Sequence, residues 1–241
     1  MKKLIFGWIA VKSSAFILIW LLFAYGTAQT SKPKQAPTPT PTPSPAVDTS
    51  VNRPTSDPYT GDLARFDREN RAEKLQIERV MDTLGIKEDS RVADIGAGGG
   101  WFTAIASKRV GESGKVYAVD ISQASVDYIE NRKKKESLSN IETVLATFDD
   151  PKLNKDSVDA VLILNTYHEI AEPVKYLRNL FPAMSKGGLL GVIDREGSGG
   201  DHGVDQSFVK DEAKRAGFEF VEEYDFVNKD RMDYFLVFKK Q

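Results

Sequence analysis

The fold of this chain is decided by the stretch SRVADIGAGGGWFTAIA, Ser90 to Ala106. A short apolar run ends at the acidic Asp94, a glycine cluster follows, and a helical pattern begins at Trp101. Strand, glycine turn and helix in that order bring backbone close to a nucleotide-like ligand at the carboxyl end of the strand. The glycines fall at Gly96, Gly98 and Gly100, with Gly99 extra. The dinucleotide fingerprint G-x-G-x-x-G asks for a glycine where Trp101 stands, so the spacing departs from it. A P-loop needs a Lys-Ser/Thr pair after its glycines. Trp101, Phe102 and Thr103 follow instead, which excludes that reading.

Working outward, strand-like and helix-like segments alternate. RVADI precedes WFTAIASKRV, and KVYAVD precedes SQASVDYIENRKKKES. IETVLA and the long apolar VDAVLILN come next, then PVKYLRNLFPAMS, whose Pro173 suits a first helical turn. GLLGVID, QSFVKDEAKRAG, FEFVEEYDF and MDYFLVFKK complete the chain, the last two joined by the polar turn VNKDR. Upstream, Asp67 to Leu84 carries apolar residues at helical spacings and ends before Gly85. The alternation predicts an α/β domain: a Rossmann-like, doubly wound, mostly parallel sheet with a final antiparallel hairpin.

The N-terminal part reads differently. Lys2 and Lys3 precede a mostly apolar run to about Ala24, interrupted by Lys12 and followed by Gly26, Thr27 and Ala28. Residues 1–28 are therefore expected to be a signal peptide or a membrane anchor, which makes the chain exported or membrane-anchored and a membrane a possible partner. Residues 29–58 are rich in Pro and Thr, the composition of a solvated spacer. The folded domain is expected over 59–241.

Composition removes several function classes. Among 241 residues there is no cysteine, so disulfides, thiolate metal sites and cysteine nucleophiles are absent. His168 and His202 are the only histidines, so no metal site is expected. A net charge of -2 gives no basic field for nucleic acid. The basic run NRKKKES from Asn131 reads as a solvated helix face.

Candidate site residues follow from the strand ends. Asp120 closes the second strand about 20 positions past the glycine loop, where a carboxylate matches two adjacent ribose hydroxyls. In ATFDDP, Phe148 offers a face for adenine and Asp149 or Asp150 an acceptor for its amine. The alternative for the two acids is an ordinary turn before Pro151. The exit of the fourth strand, NTYHEI, places Asn165, Tyr167, His168 and Glu169 where a second substrate would sit. His168 is the best base by intrinsic pKa; its alternative is a hydrogen bond to a neighbouring loop. Asp194, Arg195 and His202 lie in or beside a glycine-rich loop that borders the same cleft.

VADIGAGGG, VYAVD, SVDAVLILNTYHEI and MSKGGLLGVID together resemble the class I S-adenosylmethionine-dependent methyltransferases, over roughly Asp67 to Lys240. The likeness is to the small-molecule type, similar to the ubiquinone-biosynthesis and arsenite methyltransferases. The resemblance implies S-adenosyl-L-methionine as cofactor, with Asp94, Gly96 and Gly98 near its methionine part and Asp120 on the ribose. It implies Phe148 and Asp149 around the adenine, with Gly100, Ile121 and Asn165 completing the cofactor set. Tyr59 to Arg71 would form a lid, and His168 and Tyr167 are the catalytic candidates. Arsenite methylation needs thiolates, which this chain lacks. Methylases of exocyclic amines in DNA carry an Asn/Asp-Pro-Pro-aromatic motif, and here Asn165-Thr166-Tyr167-His168 has no proline. With no separate substrate domain, a small-molecule or lipid-like acceptor is expected and no nucleic acid. Two alternatives stand beside this reading. One is a non-catalytic module binding the cofactor or a nucleoside, favoured by an export signal because the cofactor is made in the cytoplasm. The other is an NAD-dependent oxidoreductase, disfavoured by Trp101.

Overall fold

The computed structural model describes residues 53–241. The signal or anchor expected over 1–28, and all but the last residues of the expected spacer, lie outside the described residues. Among the described residues no helix is long and apolar enough to cross a membrane.

Seven strands form one sheet: β1 (Arg91–Ile95), β2 (Lys115–Asp120), β3 (Ile141–Leu145), β4 (Val158–Leu164), β5 (Met184–Asp194), β6 (Glu219–Tyr224) and β7 (Tyr234–Lys239). Their order is β3-β2-β1-β4-β5-β7-β6. The first five run parallel, while β7 pairs antiparallel with both β5 and β6. The expected doubly wound sheet with an antiparallel hairpin is the fold found. The chain leaves β1 toward β2 on one side, while β4 lies on the other. Between the carboxyl ends of β1 and β4 a crevice opens, as the reversal of strand order requires.

The helices are α1 (Arg71–Leu75), α2 (Ile77–Thr83), α3 (Trp101–Val110), α4 (Gln123–Glu136), α5 (Pro173–Leu180) and α6 (Gln206–Arg215). Their starts follow local chemistry. The Ser122 hydroxyl accepts from the Ser125 N–H at the head of α4, and the Asp205 carboxylate accepts from the Ser207 N–H at the head of α6. Pro173 opens α5. Alternation along the strands sorts two cores. Val92, Val116 and Leu162 pack with Met81, Phe102 and Ile129 on one face. Ala93, Val119, Val161 and Ile163 pack with Leu177 and Val209 on the other.

The helix expected over Asp67 to Leu84 is broken. Gln76 takes a left-handed conformation (φ 51°) between α1 and α2, and its side-chain amide donates to the Phe226 carbonyl at 2.8 Å. That long-range bond outweighs the helical periodicity of the flanking residues. The folded part also begins earlier than residue 59. Arg53 and Ser56, assigned by composition to the spacer, are buried. Ser56 donates from its N–H to the His168 carbonyl at 3.0 Å, and from its hydroxyl to the Gly199 carbonyl at 2.8 Å.

Candidate active site

A cavity of about 720 Å³ fills the crevice at the carboxyl ends of β1, β2 and β4. Such a volume suits a nucleoside-sized ligand together with a second molecule. Its floor is the glycine loop. Gly96 sits at φ +69°, and a Cβ there would stand 2.2 Å from the Thr166 side chain. Gly98, at φ +53°, donates its N–H to Asp120 Oδ2 at 2.8 Å. Asp120 Oδ1 accepts from the Ser122 N–H at 2.9 Å. Two backbone donors thus fix a carboxylate that also lines the cavity, leaving its other lone pairs for ligand hydroxyls. Ile121 stands next to it on the wall, and Phe148, 63% exposed, stands at the rim with an uncovered ring face.

Beneath the loop, Asp94 is buried and accepts from the Thr103 hydroxyl at 2.5 Å. Burial pushes its carboxyl up to about 6, against the pull of the Thr103 hydrogen bonds. Asn165, at φ +54°, donates its N–H to the Ile193 carbonyl at 2.7 Å. Its side-chain Oδ1 is buried, lines the cleft and has no partner, so it is a free acceptor aimed at a ligand donor. Arg71 adds a cation that motif reading did not single out. Its guanidinium lies 4.2 Å over the Trp101 ring, with Nε 3.3 Å from Asp230, and it borders the same cavity. No local motif marks it, because its partner Asp230 is 159 residues away.

The second end of the cleft is built by the 3-10 turn Tyr167–Glu169 after β4 and by the loop after β5. His168 Nδ1 lies 2.8 and 3.0 Å from the two oxygens of Asp194. Asp194 also accepts from the His168 and Arg195 N–H groups. A carboxylate can only accept, so Nδ1 carries the proton and Nε2 presents its lone pair. That edge borders the cavity, 3.8 Å from Glu169 Oε1, with the His202 ring edge-on at 5.7 Å between centroids. Burial raises the Glu169 carboxyl to about 7. Tyr59, Leu63, Phe66 and Arg71 also line the cavity, so the segment expected to form a lid borders it.

Three expected site residues are not brought to the cleft. Tyr167 is fully buried and donates its hydroxyl to Glu212 Oε2 at 2.9 Å, on the side away from the cavity. Asp149 accepts from the Thr147 hydroxyl at 2.9 Å and pairs with Lys175 at 3.0 Å, the contacts of an ordinary turn. Gly100 caps α3 at φ +71°, where a Cβ would meet Ile129 at 2.9 Å. It allows α3 to start close to α4 rather than touching the cavity. Asp94, Gly96, Gly98, Asp120, Ile121, Phe148, Asn165 and His168 all line it.

Residues 86–219 match a family described as "Methyltransferase domain". The chain is 31% identical over 121 residues to an (S)-coclaurine N-methyltransferase of Thalictrum flavum subsp. glaucum, covering 50% of this chain and 33% of that protein. It is 28% identical over 139 residues to the ubiquinone/menaquinone biosynthesis C-methyltransferase UbiE of Cronobacter sakazakii, covering 54% and 55%. The chain thus spans between a third and about half the length of these curated relatives. A solved SAM-dependent methyltransferase from Aquifex aeolicus superposes with a TM-score of 0.68 at 26% identity, over 76% of this chain and 100% of that one.

Proposed function

The chain belongs to the class I S-adenosylmethionine-dependent methyltransferase family, and from that premise we propose that it methylates a small-molecule or lipid-like acceptor. When bound, the cofactor supplies a methyl group on a sulfonium, so the protein has to position, desolvate and activate. The glycine loop admits the cofactor where side chains would not fit. Asp120 takes the ribose hydroxyls, Phe148 covers the base, and Asn165 Oδ1 accepts from the ammonium end. Activation of the acceptor falls to the Asp194–His168 pair. The observation that carries this reading is the position of His168 Nε2. It is a buried lone pair, oriented by a buried carboxylate, at the far end of a cavity large enough for both reactants.

Calorimetric titration of the full chain tests the cofactor end. S-adenosylmethionine and S-adenosylhomocysteine are expected to bind and NAD is not; the reverse preference would end the argument from glycine spacing. The ribose assignment has its own test. Asp120→Ala removes charge-assisted hydrogen bonds worth about 1.5–3 kcal/mol each, so S-adenosylhomocysteine should bind at least ~10-fold more weakly. Unchanged affinity in that variant would place the ribose elsewhere.

The acceptor class follows from the walls. The cavity lies inside a single domain, and its second end combines apolar side chains with a few converging polar groups. Its polar atoms suit a hydroxyl or amine on a compact, largely apolar molecule. The N-terminal stretch, by its composition, favours presentation of that acceptor at a membrane surface. Methylation of phenol-, amine- and quinol-type compounds, with and without lipid vesicles, distinguishes these sources.

A further inference from the structure

The second end of the cleft holds more than a base. Ligand atoms of His168, Glu169 and His202 all lie within 4.8 Å of one another. We propose that these three side chains hold a divalent cation of the zinc class, and that the acceptor is a molecule offering it an oxygen. This rests on the methyl-transfer reading above and gives its acceptor a chemistry.

Two imidazoles and one carboxylate are the donor set of open, three-ligand zinc sites, which keep a position free for water or substrate. Around a zinc ion with ligands at ~2.1 Å, tetrahedral donor atoms stand roughly 3.4 Å apart. His168 Nε2 and Glu169 Oε1 are already 3.8 Å apart. His202 is placed to adjust its position. It is exposed, at φ +60°, in a loop carrying Gly197, Gly199, Gly200 and Gly203. The neighbouring contacts agree with a ligand role. Asp194 on His168 Nδ1 fixes the tautomer that offers Nε2 to a cation, the carboxylate–histidine–metal arrangement. Ser56 ties the two histidine segments together: its N–H donates to the His168 carbonyl and its hydroxyl accepts from the His202 N–H at 3.0 Å.

Charge points the same way. Asp194 and Glu169 are two carboxylates at this end, against the single guanidinium of Arg195, which is turned to the His202 carbonyl. Among the described residues Glu169 makes no ion pair with Lys or Arg; the Tyr59 N–H donates to its carboxylate, and the uncharged His168 Nε2 lies 3.8 Å away. A divalent ion would balance the remaining carboxylate. Composition predicts no metal site because it contains only two histidines, yet the fold brings both to one spot beside Glu169.

The chemistry this allows is specific. A cation with an open position lowers the pKa of a coordinated hydroxyl. With Nε2 on the cation, His168 activates the acceptor through the cation, and the hydroxyl proton leaves to solvent. The acceptor oxygen then forms its bond to the methyl carbon as the carbon–sulfur bond breaks, with that electron pair kept by sulfur. The products are a methyl ether and S-adenosylhomocysteine. Acceptors with a phenolic or enolic hydroxyl fit this best, and a second oxygen next to it would chelate.

The test is titration of the untagged full chain, stripped with a chelator, with Co²⁺ as a coloured probe. We expect one Co²⁺ per chain with the visible absorption of a four- or five-coordinate ion, displaced by Zn²⁺. Outer partners of metal ligands already affect affinity by ~10–100-fold, so His202→Ala and Glu169→Gln should each weaken Co²⁺ by at least ~10-fold. Both variants should bind S-adenosylhomocysteine within about twofold of the parent. No saturable Co²⁺ binding, or binding that survives both substitutions, overturns the proposal. So does methylation of a phenolic acceptor that chelator does not slow. Failure to bind S-adenosylhomocysteine would instead strike the methyl-transfer reading, while the Co²⁺ spectrum still reports on the cation site.

Discussion

His168→Ala is expected to lower the methylation rate about 100-fold or more, while S-adenosylhomocysteine affinity stays within about twofold. A positioned group acting on the acceptor's proton contributes ~10²–10⁴-fold, and Nε2 is the atom placed to do so, whether it takes the proton itself or holds the cation that acidifies the hydroxyl. The cofactor's own contacts lie at the ends of β1 and β2 and at Asn165. Deleting the imidazole therefore removes activation and leaves cofactor binding. Because His168 is buried, the rate has to be taken per folded molecule, with the folded fraction measured by circular dichroism on the same sample. The neighbour supplies the control. Tyr167→Phe keeps the ring in the core and loses only the hydroxyl bond to Glu212, so its turnover should stay within about threefold. Full activity in His168→Ala would remove this residue from the reaction and leave positioning by Asn165 and Glu169.

The pair His168 and Tyr167 also shows what sequence can and cannot give. Both stand at the exit of the fourth strand, and strand topology alone assigns that exit to the cleft. In a 3-10 turn successive side chains point about 120° apart, so the two cannot face the same way. Which one depends on Asp194 and Glu212, partners 26 and 45 residues away. The glycine loop and Asp120 were legible because their geometry is set locally, by turn, strand end and helix start. Asp149 is ambiguous in sequence because an acid after a strand has the same appearance whether it meets a ligand or Lys175. Arg71 and the break at Gln76 were hidden for one reason: each depends on a contact with a residue after β6, Asp230 and Phe226. The meeting of His168, Glu169 and His202 was hidden by counting, since two histidines look too few until a carboxylate from the same turn joins them.

The strongest expected effect on stability belongs to a residue far from the glycine loop. Glu212, on α6, is the centre of a buried network. Arg53 Nε and Nη2 reach its two oxygens at 3.2 Å each, and the Tyr167 hydroxyl donates at 2.9 Å. The Arg53 guanidinium also lies 5.5 Å over the Tyr167 ring. The side chains of Arg53 and Glu212 are 1% and 2% exposed, so neither has water to fall back on. Burial pushes the Glu212 carboxyl up, opposed by the charge and hydrogen bonds of Arg53. Glu212→Ala leaves a buried cation and a buried phenol without their acceptor. Removing one partner of such a pair costs about 3–5 kcal/mol, which for a domain of this size lowers the thermal midpoint by roughly 6–20 °C. The fully apolar replacement should behave differently. Arg53→Met combined with Glu212→Leu removes both charges together, and exchanging a buried pair for packed apolar groups is often neutral. The double variant is therefore expected to recover more than half of the loss. Thermal unfolding followed by circular dichroism checks both, and a Glu212→Ala midpoint within about 2 °C of the parent would show that the network holds nothing. The consequence reaches the active site through three residues of chain. Arg53 anchors the segment whose Ser56 holds the His168 carbonyl and the His202 loop. Loss of that anchor should slow methylation even at temperatures where Glu212→Ala remains folded, and the double variant, if it repacks the segment, should regain rate along with stability.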